Sequence, residues 1–239
     1  MARRRFFVDA IRGGAAELRG DDARHLTRVL RAEAGRQYEI TDGRQAYLAE
    51  IAEARGDRVV FRALAAVDSP VLPVRVTLCA ALVKFDRFEW MVEKATELGV
   101  ERIVPVETVR VERGLFEAAH KRRERWERIA RESGQQSRRL AAPEIAAPAR
   151  FAEVLAADAD QRFFLEENDA PPILRLLPER RNAGDRVALL AGPEGGWTDS
   201  ERESAAAAAW RAASLGPAVL RAETAAMASL AVIVNAWLD

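Results

Sequence analysis

The stretch Leu189–Glu201, LLAGPEGGWTDSE, decides how this chain is read. An apolar run ends in a turn holding one Pro and the glycines Gly192, Gly195 and Gly196, and a helix start follows. Thr198 is the expected N-cap, and Glu201 three residues on completes a capping box. A turn between a strand and a helix N-terminus lies at the carboxyl end of a sheet, where α/β proteins place ligands. Neither GxGxxG nor GxxxxGK[ST] is present, so a dinucleotide and a nucleoside triphosphate both lack their usual signature. Pro193 removes an N–H donor that a phosphate cradle would use, and Glu194 adds an anion. The turn suits a ligand with cationic or amine groups better than a phosphate. An ordinary strand–turn–helix connection, with glycines serving unusual dihedrals, accounts for the same residues.

A second segment, LGPAVLRAETAAMASL (Leu215–Leu230), follows closely. Ala213–Leu220 is expected to be a strand broken by a turn at Leu215–Pro217, with a helix over Thr224–Leu238 capped by Thr224. Arg221 and Glu223 at such a junction are costly to bury unless paired or engaged with a ligand. An internal Arg221–Glu223 or Arg221–Glu194 ion pair is the simpler alternative.

Working outward, VRVTLCAALV reads as a buried strand and FDRFEWMVEKATELG as an amphipathic helix ending at a C′ glycine, Gly99; ERIVPVE is the next strand. Strand, helix, strand is a βαβ unit, so the larger domain is expected to be α/β with a parallel sheet. RFFLEE (Arg162–Glu167) and RVALLAG (Arg186–Gly192) add strands, and helices are expected at Ala118–Ser133 and Ser200–Ala213. Before the proline-bearing linker SPVLP (Ser69–Pro73), short strand-like runs with DG and GD turns suggest a small β-barrel. One helical piece, DDARHLTRVLRA, interrupts them, with Asp21 or Asp22 as its cap.

The 239 residues allow one or two domains, and 49% apolar content supports a core. Basic and acidic residues balance at 37 each, so attraction to nucleic acid must come from local patches. All but Lys84, Lys94 and Lys121 of the basic residues are arginine, which a GC-rich genome explains; a use in bidentate phosphate contacts is the functional alternative. Cys79, the one cysteine, excludes an internal disulfide and lies in an apolar run as a core residue. His25 and His120 lack ligand spacing, so no metal site is expected. The N-terminus has no signal-peptide pattern and no run approaches a membrane span, so a cytoplasmic protein without membrane contact is expected.

Together, GPEGGWTDSE and LRAETA resemble the cofactor loops of the ribosomal RNA small subunit methyltransferase E family, which methylates N3 of a uridine in 16S rRNA and belongs to the SPOUT superfamily. The resemblance covers nearly the whole chain: RRFFVD, HLTRVLR (His25–Arg31) with Gly35, KFDRFEWMVEKATELGVERIVPV, and RWERIARESGQQSRRLAAPEI also match. Two positions depart from the pattern. Ser133–Gly134 replaces small helix formers, so the helix is expected to end early, and Leu140 replaces a polar residue beside Arg139.

The resemblance implies a PUA-like barrel over residues 1–69, for RNA binding, and over 73–239 a SPOUT domain whose cofactor loops form a trefoil knot. Chain-connection rules nearly exclude knots, so that expectation rests on the resemblance alone. It implies S-adenosylmethionine as cofactor, held by Leu165, Gly192, Glu194, Gly195, Gly196, Leu215, Leu220, Arg221, Thr224 and Ala225. It also implies 16S rRNA or the small ribosomal subunit as partner, and a homodimer. Methylating N3 requires stabilising the uracil anion, for which Arg221 is the expected partner; Glu223 or Glu194 either accepts the proton or holds Arg221 in place. RNA contacts are expected from Arg4, Arg5, His25, Arg28, Arg31 and Arg139, with Arg3 also in the N-terminal patch of arginines beside aromatics. The alternatives are a non-catalytic RNA-binding or assembly factor on this fold, and a relative acting on another RNA such as tRNA.

Overall fold

The protein is described by a computed structural model covering residues 4–69, 71–167 and 169–238. Arg3 and Pro70 of the linker lie outside the described residues. The chain forms two units: Met1–Val71 with Arg131–Ala142, and Leu72–Ala130 with Pro143–Asp239. Residues 131–142 thus group with the first unit, although the sequence reading assigned them to the second.

The first unit is a six-stranded sheet in the order β1-β4-β5-β6-β3-β2. Its strands are β1 (Arg5–Phe7), β2 (Ile11–Arg12), β3 (Ala15–Arg19), β4 (Gln37–Thr41), β5 (Ala46–Arg55) and β6 (Arg58–Val67). Only β1–β4 is parallel. The expected turns are present: Asp42 Oδ1 accepts from the N–H of Arg44, Gly43 has φ +87°, and Gly56 at φ +55° closes the β5–β6 hairpin. Helix α1 (Gly20–Arg24) continues as one wide π turn over His25–Val29. Asp21 and Asp22 stand in its first turn rather than at its cap, which is Arg19. Asp22 instead accepts from Arg131 Nε and Gln135 Nε2, both at 2.9 Å, and Asp21 pairs with Arg24.

The second unit holds an all-parallel sheet in the order β10-β8-β7-β12-β11-β13, with β9 beside β8. Its strands are β7 (Val74–Ala81), β8 (Arg102–Glu107), β9 (Glu144–Ile145), β10 (Ala149–Arg150), β11 (Gln161–Leu165), β12 (Asp185–Ala191) and β13 (Arg211–Ala213). The helices are α2 (Phe85–Glu97), α3 (Leu115–Gln136, whose residues from Arg131 onward group with the first unit), α4 (Phe151–Val154), α5 (Ile173–Leu176), α6 (Asp199–Ala207) and α7 (Ala222–Ala236). Alternate residues of β12 point to opposite faces: Val187 and Leu189 join a core with Phe88, Trp126 and Leu230, while Ala188 and Leu190 pack with Trp197 and Trp210. Cys79 is buried on the second face, and burial pushes its thiol up to about 12. It is a core residue, as its apolar setting suggested. Gly99 follows α2 at φ +97°, the expected C′ position.

Three elements differ from expectation. Ala213–Leu220 is not a strand: β13 ends at Ala213, and only Ser214 continues, as a single bridge to Pro172. Pro217 lacks a ladder donor and Gly216 sits at φ +118°, so the chain leaves the sheet there. Helix α6 stops at Ala207, before Ala209 turns to φ +61° and Trp210 enters the core. Helix α3 does not end at Ser133–Gly134 but runs to Gln136. Gly134 lies against Phe7, whose ring a Cβ would meet at 3.1 Å, so the glycine permits close packing rather than termination.

Candidate cofactor site and RNA-facing residues

Strand β12 delivers Gly192 to the carboxyl edge of the sheet, and the turn Gly192–Trp197 leads into α6. The capping box is formed as read: Thr198 Oγ1 accepts from the N–H of Glu201, and Glu201 Oε2 accepts from the N–H of Thr198 at 2.8 Å. Trp197, 2% exposed, is the anchor that the sequence reading passed over. Its Nε1 donates to the carbonyl of Leu165 at 2.8 Å, and its ring stacks on Phe164 with centroids 4.5 Å apart. Gly192 is obligatory against that ring, because a Cβ would come within 2.8 Å of it. Gly196 adopts φ +68°, which favours glycine in its own right.

A cavity of about 380 Å³ opens between this turn and the segment Leu215–Arg221. Of the residues the sequence singled out, Leu165, Gly192, Glu194, Gly196, Leu215, Leu220, Arg221 and Ala225 line it. Gly195 and Thr224 do not: Gly195 turns its carbonyl to Arg110, and Thr224 is exposed on α7. Thr224 is not the cap either, since α7 begins at Ala222 with Arg221 in the N-cap position. Neither anticipated ion pair of Arg221 forms among the described residues. Glu194 pairs instead with Arg87 from α2, a partner 107 positions away in sequence. Arg221 is exposed at the cavity wall, and Glu223 is outside the lining with its Oε2 buried and unpartnered.

The lining shows what ligand chemistry fits. Glu166, Glu167 and Glu194 supply three carboxylates against the guanidiniums of Arg87 and Arg221. Arg202 holds Glu166 at 2.5 Å. The walls between these groups are apolar: Leu165, Trp197, Ala213, Leu215, Val219 and Leu220. Two of the carboxylates are thus neutralised by arginines, and the site suits a flat, largely apolar body with a few polar groups at its rim.

The comparisons with known proteins agree with this geometry. Residues 70–234 match a model described as an RNA methyltransferase domain, and residues 18–64 match an RNA methyltransferase PUA domain. A ribosomal RNA small subunit methyltransferase E from Synechocystis is 34% identical, over 90% of this chain and 71% of its own length. The chain belongs to the ribosomal RNA small subunit methyltransferase E family. The solved structure of a Neisseria gonorrhoeae member, bound to S-adenosylmethionine, superposes with a TM-score of 0.88 at 27% identity, covering 99% of this chain and 98% of that one. A Legionella pneumophila protein described as a methyltransferase in complex with its cofactor SAM gives 0.89 at 28% identity, with the same coverage. The expected parallel α/β fold, the PUA-like N-terminal domain and the cofactor of the family are in line with these relatives.

The residues proposed for RNA divide on burial. In the first unit, Arg4 donates from Nη1 to His25 Nε2 at 3.0 Å and its guanidinium lies 5.6 Å from the ring of Phe6. Arg28 and Arg31 are exposed; Arg31 has left the helix at φ +48°. Arg139 Nε donates to the carbonyl of Ala141 at 3.2 Å. Arg5 is a correction. It is 1% exposed and bonded to Glu39 Oε2 at 2.9 Å, to Ser69 Oγ at 2.8 Å and to the carbonyl of Arg138 at 2.6 Å. Its charge is consumed inside the fold, because the buried Glu39 on β4 leaves it no reason to reach solvent. The sheet puts Arg5 opposite Glu39, a pairing that local sequence does not announce. Among the described residues no cluster of His, Cys, Asp or Glu could hold a metal, and no helix is long and apolar enough to cross a membrane.

Proposed function

We propose that this chain transfers a methyl group from S-adenosylmethionine to N3 of a uridine in the 16S rRNA of the small ribosomal subunit. The observation that carries the reading is the cavity itself: two glycine-bearing turns at the carboxyl edge of the sheet, a carboxylate-rich lining, and Arg221 exposed at its wall. When bound, the sulfonium supplies an activated methyl group. The protein's own task is to hold the uracil and stabilise the charge that appears when N3 loses its proton. Arg221 offers two donors in one plane to that anion, and Glu194, one of its two anticipated partners, is paired with Arg87 instead. Glu223 sits in the first turn of α7 with one carboxylate oxygen, Oε2, buried and unpartnered. In this reading it either takes the N3 proton or holds Arg221 in place once substrate is bound.

Gly192, Glu194, Gly196, Leu165, Leu215, Leu220 and Ala225 hold the cofactor through the cavity wall, while Gly195 and Thr224 support the two turns from outside. Arg4, His25, Arg28, Arg31 and Arg139 contact the RNA from the first unit, residues 1–69 being its RNA-binding domain and 73–239 the methyltransferase domain. The trefoil knot belongs to the same reading, with the two turns as its cofactor loops, as does a cytoplasmic site of action beside the ribosome. A homodimer is included as well, supported by the exposed apolar run Gly216–Leu220; sedimentation as a single 26.4 kDa chain would exclude it.

The test uses rRNA from cells lacking this gene, purified protein and labelled cofactor. 3-Methyluridine is expected in the nucleoside digest after treatment with the wild-type chain. Arg221→Ala is expected to bind S-adenosylmethionine within about threefold of wild type yet lose more than about 100-fold in methyl transfer, the scale of an oxyanion donor. A different methylated nucleoside would overturn the position, and full turnover by the variant would remove Arg221 from the chemistry.

A further inference from the structure

The loop between β8 and α3 does not line the cavity, yet it holds the glycine turn from behind. We propose that Arg110 is a positioning residue for the cofactor turn, with Glu201 fixing the backbone that carries it. The proposal rests on the assignment of the cavity to S-adenosylmethionine.

The peptide joining Gly195 to Gly196 is the point of leverage. A Gly–Gly peptide has no Cβ on either side to oppose rotation, so unassisted it can present either its C=O or its N–H to the cavity. Here both ends are held. The N–H of Gly196 donates to the carbonyl of Pro193 at 2.9 Å, and the carbonyl of Gly195 accepts from Arg110 Nη1 at 2.6 Å. The Arg110 stem also lies along the turn, since a Cβ on Gly195 would meet its Cβ at 3.3 Å and its Cδ at 3.4 Å. Arg110 therefore covers the outer side of the turn, while Gly192, Pro193, Glu194 and Gly196 face the cavity. A charge-assisted bond from a guanidinium outweighs a neutral one at this place, and it withdraws the carbonyl from the ligand side.

Arg110 is itself located by a buried carboxylate. Glu201 Oε1 accepts from the N–H of Val109 at 2.9 Å, while its Oε2 accepts from the N–H and the hydroxyl of Thr198, both at 2.8 Å. One side chain thus caps α6 and fastens the neighbouring loop to the same helix start. The turn is bracketed by Arg110 in its middle and by Thr198–Glu201 at its end. Arg110 is exposed, so its loss leaves the core intact.

Calorimetric titration of S-adenosylmethionine into the wild type, Arg110→Ala and Arg110→Lys tests this. Arg110→Ala is expected to raise the cofactor Kd by about tenfold, the scale of a lost hydrogen bond to a charged group, with Arg110→Lys restoring part of it. The melting temperature and the KM for rRNA are expected to stay near wild type, and kcat at saturating cofactor to fall by less than about threefold, since the chemical groups are untouched. Wild-type binding matched by Arg110→Ala would overturn the positioning role and leave the cavity assignment standing. A large fall in melting temperature with unchanged affinity would also overturn it, by making the contact a structural clasp. Absence of binding by the wild type would overturn the cavity assignment instead.

Discussion

Gly192–Trp197 and Leu215–Arg221 border one cavity, but the first is tied down along its length while the second lies open. Trp197 is bonded to Leu165 and stacked on Phe164, Gly195 and Gly196 are held through one peptide, and Glu194 is paired with Arg87. Across the cavity, Gly216–Leu220 is exposed at every residue, Val219 at 80%. The difference assigns the two sides different work. A pinned turn supplies fixed geometry, and its ordering is complete before any ligand arrives. An open apolar segment supplies area that remains to be covered by whatever enters the cavity.

The comparison breaks most visibly at the glycines. Gly192→Ala places a Cβ 2.8 Å from a ring that is fixed on two sides and cannot yield. Overpacking of this kind costs about 1–3 kcal/mol, so a fall of several degrees in melting temperature is expected. Because the turn must shift, cofactor affinity is expected to fall by more than about 30-fold, equivalent to about 2 kcal/mol. Gly216→Ala meets no atom within 4 Å and carries only the strain of φ +118°. Calorimetry should therefore show a smaller loss for Gly216→Ala on both counts. Equal losses would mean that the two turns are held alike.

A milder substitution separates the same two sides. Trp197→Phe keeps the stacked ring but removes the donor to Leu165, whose carbonyl is then left without that partner. The expected cost is about 1–2 kcal/mol, seen as a lower melting temperature with a several-fold weaker cofactor Kd. Val219→Ala should do the reverse, leaving thermal stability within about a degree while weakening cofactor binding, because an exposed side chain stabilises little until something covers it. A loss of stability in Val219→Ala would show that the open segment is packed after all.

The pinned turn was far easier to read from sequence than what pins it. Proline, glycine and the Thr198–Glu201 box are local signals with local causes, and the strand–turn–helix they imply is present. The βαβ unit and Gly99 were legible for the same reason. Arg87, Arg110 and Trp197 were not, because their value depends on partners brought together by the sheet order. Arg5 failed in the opposite direction: basic residues beside aromatics suggest a nucleic-acid surface, but a buried Glu39 claims this one. Ala-Val-Leu at Ala218–Leu220 has the composition of a strand, and only Gly216 and Pro217 before it warn that the sheet has ended. Thr224 had the chemistry of a cap but stands one turn too late in α7.

The open segment ends at α7, and the far end of that helix shows whether openness extends to the helix itself. Trp237, just past α7, donates from Nε1 to Asp185 Oδ2 at 3.0 Å, and the N–H of Asn182 donates to the same oxygen at 2.8 Å. The Asn182 N–H first, and the indole second, hold the Asp185 carboxyl below its ordinary value of 3.8. Since the folded-state value lies below the unfolded one, the contribution is complete above about pH 4, the unfolded carboxyl range, and disappears as pH falls through the folded value. Melting temperatures measured between pH 6 and pH 3 should therefore drop more in the wild type than in Asp185→Asn, which has no carboxyl to protonate. The effect should be the smallest of the three, because the site is close to solvent. If it appears without any change in cofactor affinity at the same pH, α7 is anchored at its C-terminal end independently of the open segment at its start. If affinity falls in step with stability, the helix transmits its anchoring to the cavity, and the contrast between the two turns is one of surface exposure alone.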